Sequence, residues 1–179
     1  MKTFAARFEA IASPTSLLRA WRAYASGKRR RPAVARFAVD AERRVLDLAD
    51  ALAAGRYRPR MPRLLPIRDP KTRLIAVAPV GDRVVQRAVY DALAPDFQRG
   101  FTGDTFACLP GRGSHRALLC FLDGMRRYRY VLHLDIARYF PSVDHATLRG
   151  LLAARLRDRR IVDLIDRQLD AAAVERRRG

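Results

Sequence analysis

Lysine is almost missing from this basic chain. It occurs only as Lys2, Lys28 and Lys71, so nearly all of the positive charge is arginine. Cysteine is scarce as well. Cys108 and Cys120 make neither a zinc-ligand spacing nor a disulfide framework, and they read as reduced core thiols of an intracellular protein. No apolar run reaches the roughly 18 residues of a membrane span, and no charged segment, apolar core and cleavage site open the chain. A soluble, cytoplasmic protein with no membrane partner is expected. Internal repeats and low-complexity tracts are lacking too.

What is present is an imbalance of charge: 36 Lys and Arg face 18 Asp and Glu, a net charge of +18. A field of that sign attracts phosphate chains and releases their counterions on binding, which points to nucleic acid. The competing reading is genomic, because abundant Arg and Ala also follow from GC-rich coding. With 179 residues, 49% of them hydrophobic, the chain can bury an ordinary core.

The first part of the chain is basic, with Gly27-Lys28-Arg29-Arg30-Arg31-Pro32 at its centre. Gly and Pro bracket that run as a solvated loop, and Phe4, Phe8, Ile11, Leu17, Leu18 and Trp21 line short helices upstream. Asp40 stands where a helix cap belongs; Val45, Leu48, Ala49 and Leu52 share one face, and Gly55 fits a left-handed C-terminal position. Leu64 to Ile67 and Leu74 to Ala78 read as two strands joined by a polar turn at Asp69 and Pro70, a hairpin with a basic tip. Helical spacing recurs from Asp82 to Pro95. It recurs again after a Ser114 cap, with Leu118, Leu119, Leu122 and Met125 expected to face inward. Tyr130 to Asp135 then reads as a buried strand, with His133 partly buried in it. Two helices follow, carrying Leu148, Leu151, Leu152 and Leu156, then Ile161, Leu164, Ile165 and Leu169. Asp163, Asp166 and Asp170 mark the wet face of the second.

A carboxylate at the end of a buried strand is costly unless it is solvated, paired or bound to a cation. Asp135 either caps the following turn or is a magnesium ligand at a strand end. The stretch Leu134-Asp-Ile-Ala-Arg-Tyr-Phe-Pro-Ser-Val-Asp-His145 resembles the first catalytic motif of reverse transcriptases of the group II intron, retron and diversity-generating retroelement types. In that motif an Asp ends a palm strand and an aromatic residue follows five positions later. The resemblance implies that Asp135 ligates two magnesium ions, with the backbone carbonyl of Ile136 as a further ligand. It also implies that Phe140 lies under the sugar of an incoming deoxynucleoside triphosphate.

Two further blocks carry the same resemblance. Ile67 to Val89, with its basic hairpin followed by Asp82-Arg83-Val84-Val85-Gln86, is similar to the fingers segment of these enzymes. It implies triphosphate contacts from Arg73, Arg68 and Lys71 and a template-phosphate contact from Arg83. The competing reading makes Asp82 only its helix cap, with Arg83 pairing to it. Phe106 to His115 resembles the next block, in which Arg112, flanked by glycines ahead of a helix, contacts a nucleic-acid backbone. Lys28, Arg29, Arg30 and Arg31 complete the expected nucleic-acid-binding set. His115, His133 and His145 have no metal spacing.

The resemblance implies a right-hand polymerase architecture of the α+β class, helix-rich with a short antiparallel hairpin. Residues 1–55 form a basic helical extension, 56–128 the fingers and 129–179 an incomplete palm. The implied partners are an RNA template with a DNA primer, or an RNA–DNA hybrid, and deoxynucleoside triphosphates. The glycine-rich segment and the aromatic-x-Asp-Asp turn of the family's palm are absent, and two-metal phosphoryl transfer needs more carboxylate than Asp135 provides. A truncated enzyme is therefore expected, inactive alone and completed by a second polypeptide, with an exposed apolar patch where palm partners are lacking. The alternative is an RNA-binding module of the same fold without chemistry.

Overall fold

The computed structural model describes residues 3–69 and 71–173. Among these residues the chain forms nine helices and one two-stranded antiparallel sheet, the helix-rich α+β class expected. It divides into two compact units, Met1–Pro95 with Val143–Gly179, and Asp96–Ser142.

The first unit holds the core. Short α1 (Phe8–Ala12) and α2 (Pro14–Ala25) meet at Ser13, whose hydroxyl accepts from the Ser16 N–H at 3.2 Å ahead of Pro14 in the first helical turn. Ile11, Leu17, Ala20 and Trp21 are buried along them. The Trp21 ring lies 4.7 Å from Phe37 of α3 (Pro32–Ala38). In α4 (Ala41–Ala53), Val45, Ala49 and Leu52 are buried on one stripe, as helical periodicity dictates. Asp40 precedes this helix without capping it and instead approaches Arg44 at 3.9 Å. The other end closes in the anticipated way. Gly55 adopts φ +66°, Arg56 N–H reaches Ala51 O at 2.8 Å and Gly55 N–H reaches Leu52 O at 3.0 Å, the paired bonds of a glycine-terminated helix.

The chain then turns through Tyr57 into β1 (Arg63–Asp69) and β2 (Lys71–Val77), registered from Arg63 opposite Val77 to Asp69 opposite Lys71. The hairpin is longer than the apolar residues alone suggest, because its basic and polar residues continue the ladder. Pro70 of the proposed turn lies outside the described residues. Next comes α5 (Val80–Gln98), which begins before Asp82 and runs through Pro95. Proline removes one backbone donor near the end of the helix, and the last turn persists without it.

Asp82 is therefore not a cap. It sits inside the first turn of α5, 5% exposed, and accepts from the Tyr57 hydroxyl at 2.7 Å and from the Arg60 N–H at 3.1 Å. Burial first, and then the bond to Asp82, hold the Tyr57 hydroxyl far above the ordinary phenol range. This contact ties the segment leading into the hairpin to the helix leaving it.

The rest of the first unit is built from α8 (His145–Arg155) and α9 (Arg159–Ala173). Asp144 caps α8 by accepting from the Thr147 N–H at 2.7 Å. Arg149 then pairs with Asp166 at 3.0 Å and also with Asp170, so that two acids expected on a wet face cross-link the helices. Phe4 N–H donates to Arg155 O at 2.8 Å, and Asp158 accepts from Phe8 N–H at 2.9 Å and from Arg160, which also pairs with Glu9. The N-terminal segment is thereby fastened to the α8–α9 connection. Arg167 of α9 donates to the carbonyls of Gly55 and Tyr57 at 3.4 and 3.3 Å.

The second unit differs from expectation in four ways. In α6 (Ser114–Arg127) Leu118, Leu119, Leu122 and Met125 are exposed, and none of its residues is buried. Gly113 at φ +135° takes the cap position instead of Ser114, because the glycine-bounded turn sets the helix start one residue earlier than hydroxyl capping would. Both cysteines are exposed rather than core residues. Tyr130 to Asp135 forms no strand and is exposed throughout, His133 included. A strand exists only where a neighbouring segment completes its hydrogen-bond ladder, and no described segment pairs with this one. The expected apolar patch is present, with Leu132 80%, Leu134 77% and Phe140 82% exposed. Short α7 (Tyr139–Ser142) ends the unit.

Two outcomes follow from these contacts. Tyr57→Phe leaves a buried carboxylate short of a donor and should cost about 1–3 kcal/mol, read as a lower urea midpoint by Trp21 fluorescence. Tyr90→Phe, on an exposed ring, should change stability by no more than about 0.5 kcal/mol. The Arg160 hydrogen bond, against the cost of burial, holds the Asp158 carboxyl down at about 2 from an ordinary 3.8. Its stabilisation is complete above the ordinary value and is lost as the pH falls through the folded one. Asp158→Asn should be the less stable protein at neutral pH, and urea melts at successively lower pH should show the gap to the unaltered chain closing between about pH 4 and pH 2.

Candidate functional site

The residues singled out by sequence fall in both units. In the second, Asp135 occupies an extended, exposed segment, and no hydrogen bond or ion pair to its carboxylate forms among the described residues. Ile136 follows with a 64% exposed side chain, and the backbone then turns at Arg138, which has φ +52°. That positive φ is uncommon for a residue with a Cβ, and it redirects the chain into α7. Phe140 stands in that helix, its ring 5.4 Å from Tyr139 and tilted by 58°. Asp135 is thus solvated rather than buried, and the cost argued from a buried strand does not arise. No group of three or more His, Cys, Asp or Glu positioned to hold a metal occurs among the described residues. Asp135 and the Ile136 carbonyl are by themselves too few donors for a pair of magnesium ions.

Arg112 has a different occupation. One of its terminal nitrogens donates to the carbonyls of Thr102, Gly103 and Thr105 at 2.8, 2.9 and 2.8 Å. The glycine-bounded loop is thereby folded around the guanidinium, with Gly111 at φ +69° and Gly113 at φ +135° making the bends a side chain would resist. The Arg112 side chain acts first as an internal fastener of its loop.

In the first unit, Arg68 is exposed on β1 opposite Thr72, while Arg73 of β2 pairs across to Ile67 and Lys71 to Asp69. The side chains of Lys71 and Arg73 lie outside what is described. Lys28, in the turn after α2, folds back onto that helix's end, donating to Tyr24 O at 3.0 Å with its ammonium 4.8 Å from the Tyr24 ring. Arg29, Arg30 and Arg31 are exposed in the turn that follows.

Arg83 does not pair with the adjacent Asp82, whose acceptors serve Tyr57 and Arg60. Its Nε is buried without a hydrogen-bond partner, as is Nε2 of Gln168, and both residues line one cavity of about 220 Å³ with Arg60 and Gln86. A buried donor without a protein partner is suited to an acceptor-rich guest, water or an oxyanion.

The sequence reading missed a second grouping. Arg36, Arg44, Arg56, Arg58 and Arg60 converge on a cleft of about 620 Å³ floored by Tyr57 and Asp82. The alternation Arg56-Tyr-Arg-Pro-Arg60 was its only local trace, because Arg36 and Arg44 come from helices well upstream. No described helix is long and apolar enough to cross a membrane.

No protein-family model matches the chain. Over 135 residues the chain is 30% identical to protein YkfC of Escherichia coli strain K12, covering 72% of this chain and 35% of that protein. Over 137 residues it is 26% identical to the group II intron-encoded protein LtrA of Lactococcus lactis subsp. cremoris, covering 75% of this chain and 23% of that protein. An uncharacterized 91 kDa protein in the cob intron of Schizosaccharomyces pombe is 30% identical over 89 residues, covering 50% of this chain and 10% of that protein. The chain spans about a third or less of the curated relatives it matches. These partial similarities reach intron-encoded proteins and agree, at that coarse level, with the reverse-transcriptase-like resemblance of the Asp82 and Asp135 blocks.

Proposed function

We propose that this chain is the fingers and the first part of the palm of a reverse transcriptase, an RNA-directed DNA polymerase of a bacterial retroelement. Its family types are those of group II introns, retrons and diversity-generating retroelements. The observation that carries this reading is the hairpin of Arg63 to Val77 running straight into a helix that opens with Asp82-Arg83-Val84-Val85-Gln86, the two tied by the Tyr57–Asp82 bond. The similarity to a group II intron-encoded protein supports it independently.

In this reading Arg68, Lys71 and Arg73 hold the triphosphate of a deoxynucleotide and spread its charge. Arg83 and the Lys28 to Arg31 turn contact template or primer backbone, and Arg112 does so while holding its loop. Phe140 packs under the sugar. Magnesium belongs to the complete enzyme, in which Asp135 and the Ile136 carbonyl are a partial ligand set. A further polypeptide segment carrying the other carboxylates completes the site. The exposed run from Tyr130 to Ile136 would become a strand on pairing with such a segment, which accounts for apolar residues left in solvent.

The chain by itself should bind an RNA–DNA hybrid and fail to extend the primer. The test is primer extension on an RNA template with magnesium and deoxynucleotides, beside hybrid binding by anisotropy and an Asp135→Ala control. Extension by the unaltered chain that disappears in the control overturns the incomplete-site reading. Hybrid binding no tighter than that of a cationic peptide of equal charge overturns the polymerase reading altogether.

A further inference from the structure

The cleft between α3, α4, the 56–60 segment and the start of α5 has no assigned role, and its chemistry is one-sided. Five arginines line it against two acids, Asp47 and Asp82. Asp82 is already engaged by the Tyr57 hydroxyl and the Arg60 N–H, so little of its acceptor capacity faces the cleft. Arg58 is spent on the carbonyls of Gly55 and Tyr57 at 2.8 and 2.9 Å, which braces the wall. Arg44 sits with its guanidinium carbon 5.5 Å from the Phe37 ring centre. That leaves Arg36, Arg56 and Arg60, whose guanidinium groups make no hydrogen bond or ion pair among the described residues.

We propose that this cleft is a nucleic-acid backbone site, in which Arg36, Arg56 and Arg60, with Arg44 beside them, hold consecutive phosphates of an RNA strand. The proposal rests on the polymerase reading above and adds to it a contact surface apart from the hairpin, Arg83 and the 28–31 turn. Guanidinium groups delivered from three separate elements match a repeating anion better than a single ion, and their planar forks suit phosphate oxygens. The walls are rigid where they need to be, because the buried Tyr57–Asp82 bond fixes the 56–60 segment to α5 and the Arg56 and Tyr57 N–H bonds to Ala51 O, at 2.8 and 2.9 Å, fix it to α4.

The same geometry limits what the cleft reads. Its two rings, Phe37 and Tyr57, are 6% and 5% exposed, and the Tyr57 hydroxyl is occupied. No base can stack on them, so recognition stops at phosphates and carries no sequence preference.

The experiment is fluorescence anisotropy of a labelled single-stranded RNA across a salt series. It compares the unaltered chain with the triple variant Arg36→Gln, Arg56→Gln, Arg60→Gln, and with a charge-matched triple on exposed arginines elsewhere, Arg7→Gln, Arg19→Gln, Arg159→Gln. Removing three phosphate contacts should weaken binding at least about tenfold at low salt and lower the slope of log K against log salt by about 2. The matched triple should lose much less, and changing the RNA sequence should alter neither result. Equal losses in the two triples, or no loss in the cleft triple, overturn the cleft assignment while the polymerase reading stands. Failure of the unaltered chain to bind RNA overturns both. Poly-L-glutamate competing as well as RNA of equal charge makes the cleft an acidic-peptide site and also overturns the proposal. Should the cleft triple unfold, hydrogen exchange of the unaltered chain decides: RNA should protect amides of residues 33–60, and unchanged exchange there refutes the site.

Discussion

The bond between the Tyr57 hydroxyl and the Asp82 carboxylate is the constraint on which the arrangement of the first unit turns. A carboxylate so well buried is expensive unless its oxygens are used, and here each oxygen has a donor from the segment before the hairpin. Breaking the bond would strand the charge, so the segment, the hairpin base and the first turn of α5 move as one piece. The cavity at Arg83 and the arginine cleft share Asp82 and Arg60 in their walls. Both owe their shape to that single contact.

Around it the arginines divide into two kinds. Arg58, Arg112, Arg149, Arg160 and Arg167 donate to carbonyls or pair with acids inside the protein, bracing loops and helix junctions. Arg36, Arg56, Arg60 and Arg68 carry charge that no described residue neutralises. A total charge therefore overstates what is available to an outside partner. Arg36, Arg56 and Arg60 share one cleft, whereas Arg68 and the exposed Arg29 to Arg31 lie outside it.

The two units contrast in how they satisfy their apolar residues. In the first, Ile11, Leu17, Val34, Val84, Val85 and Ile161 are almost wholly buried. In the second, α6 and the segment from Tyr130 to Ile136 keep their leucines, valine and isoleucine in solvent. Helical or extended patterning is equally regular in both. Burial requires an opposing surface, and amphipathic sequence only declares that one is wanted.

Local chemistry was legible in the sequence because its causes are local. The left-handed Gly55 ending a helix and the hairpin between apolar runs each depend on residues a few positions apart. What the tertiary structure alone decided involves distant partners. It made Asp82 the acceptor of Tyr57 rather than a cap, turned Arg112 inward to its own loop and left Tyr130 to Asp135 extended without a ladder. It also carried Arg36 and Arg44 to the Arg56-Tyr-Arg-Pro-Arg60 segment. Propensity and periodicity report what a segment prefers. Only packing determines which donor, acceptor or neighbouring strand is within reach, because those partners are brought by the path of the whole chain.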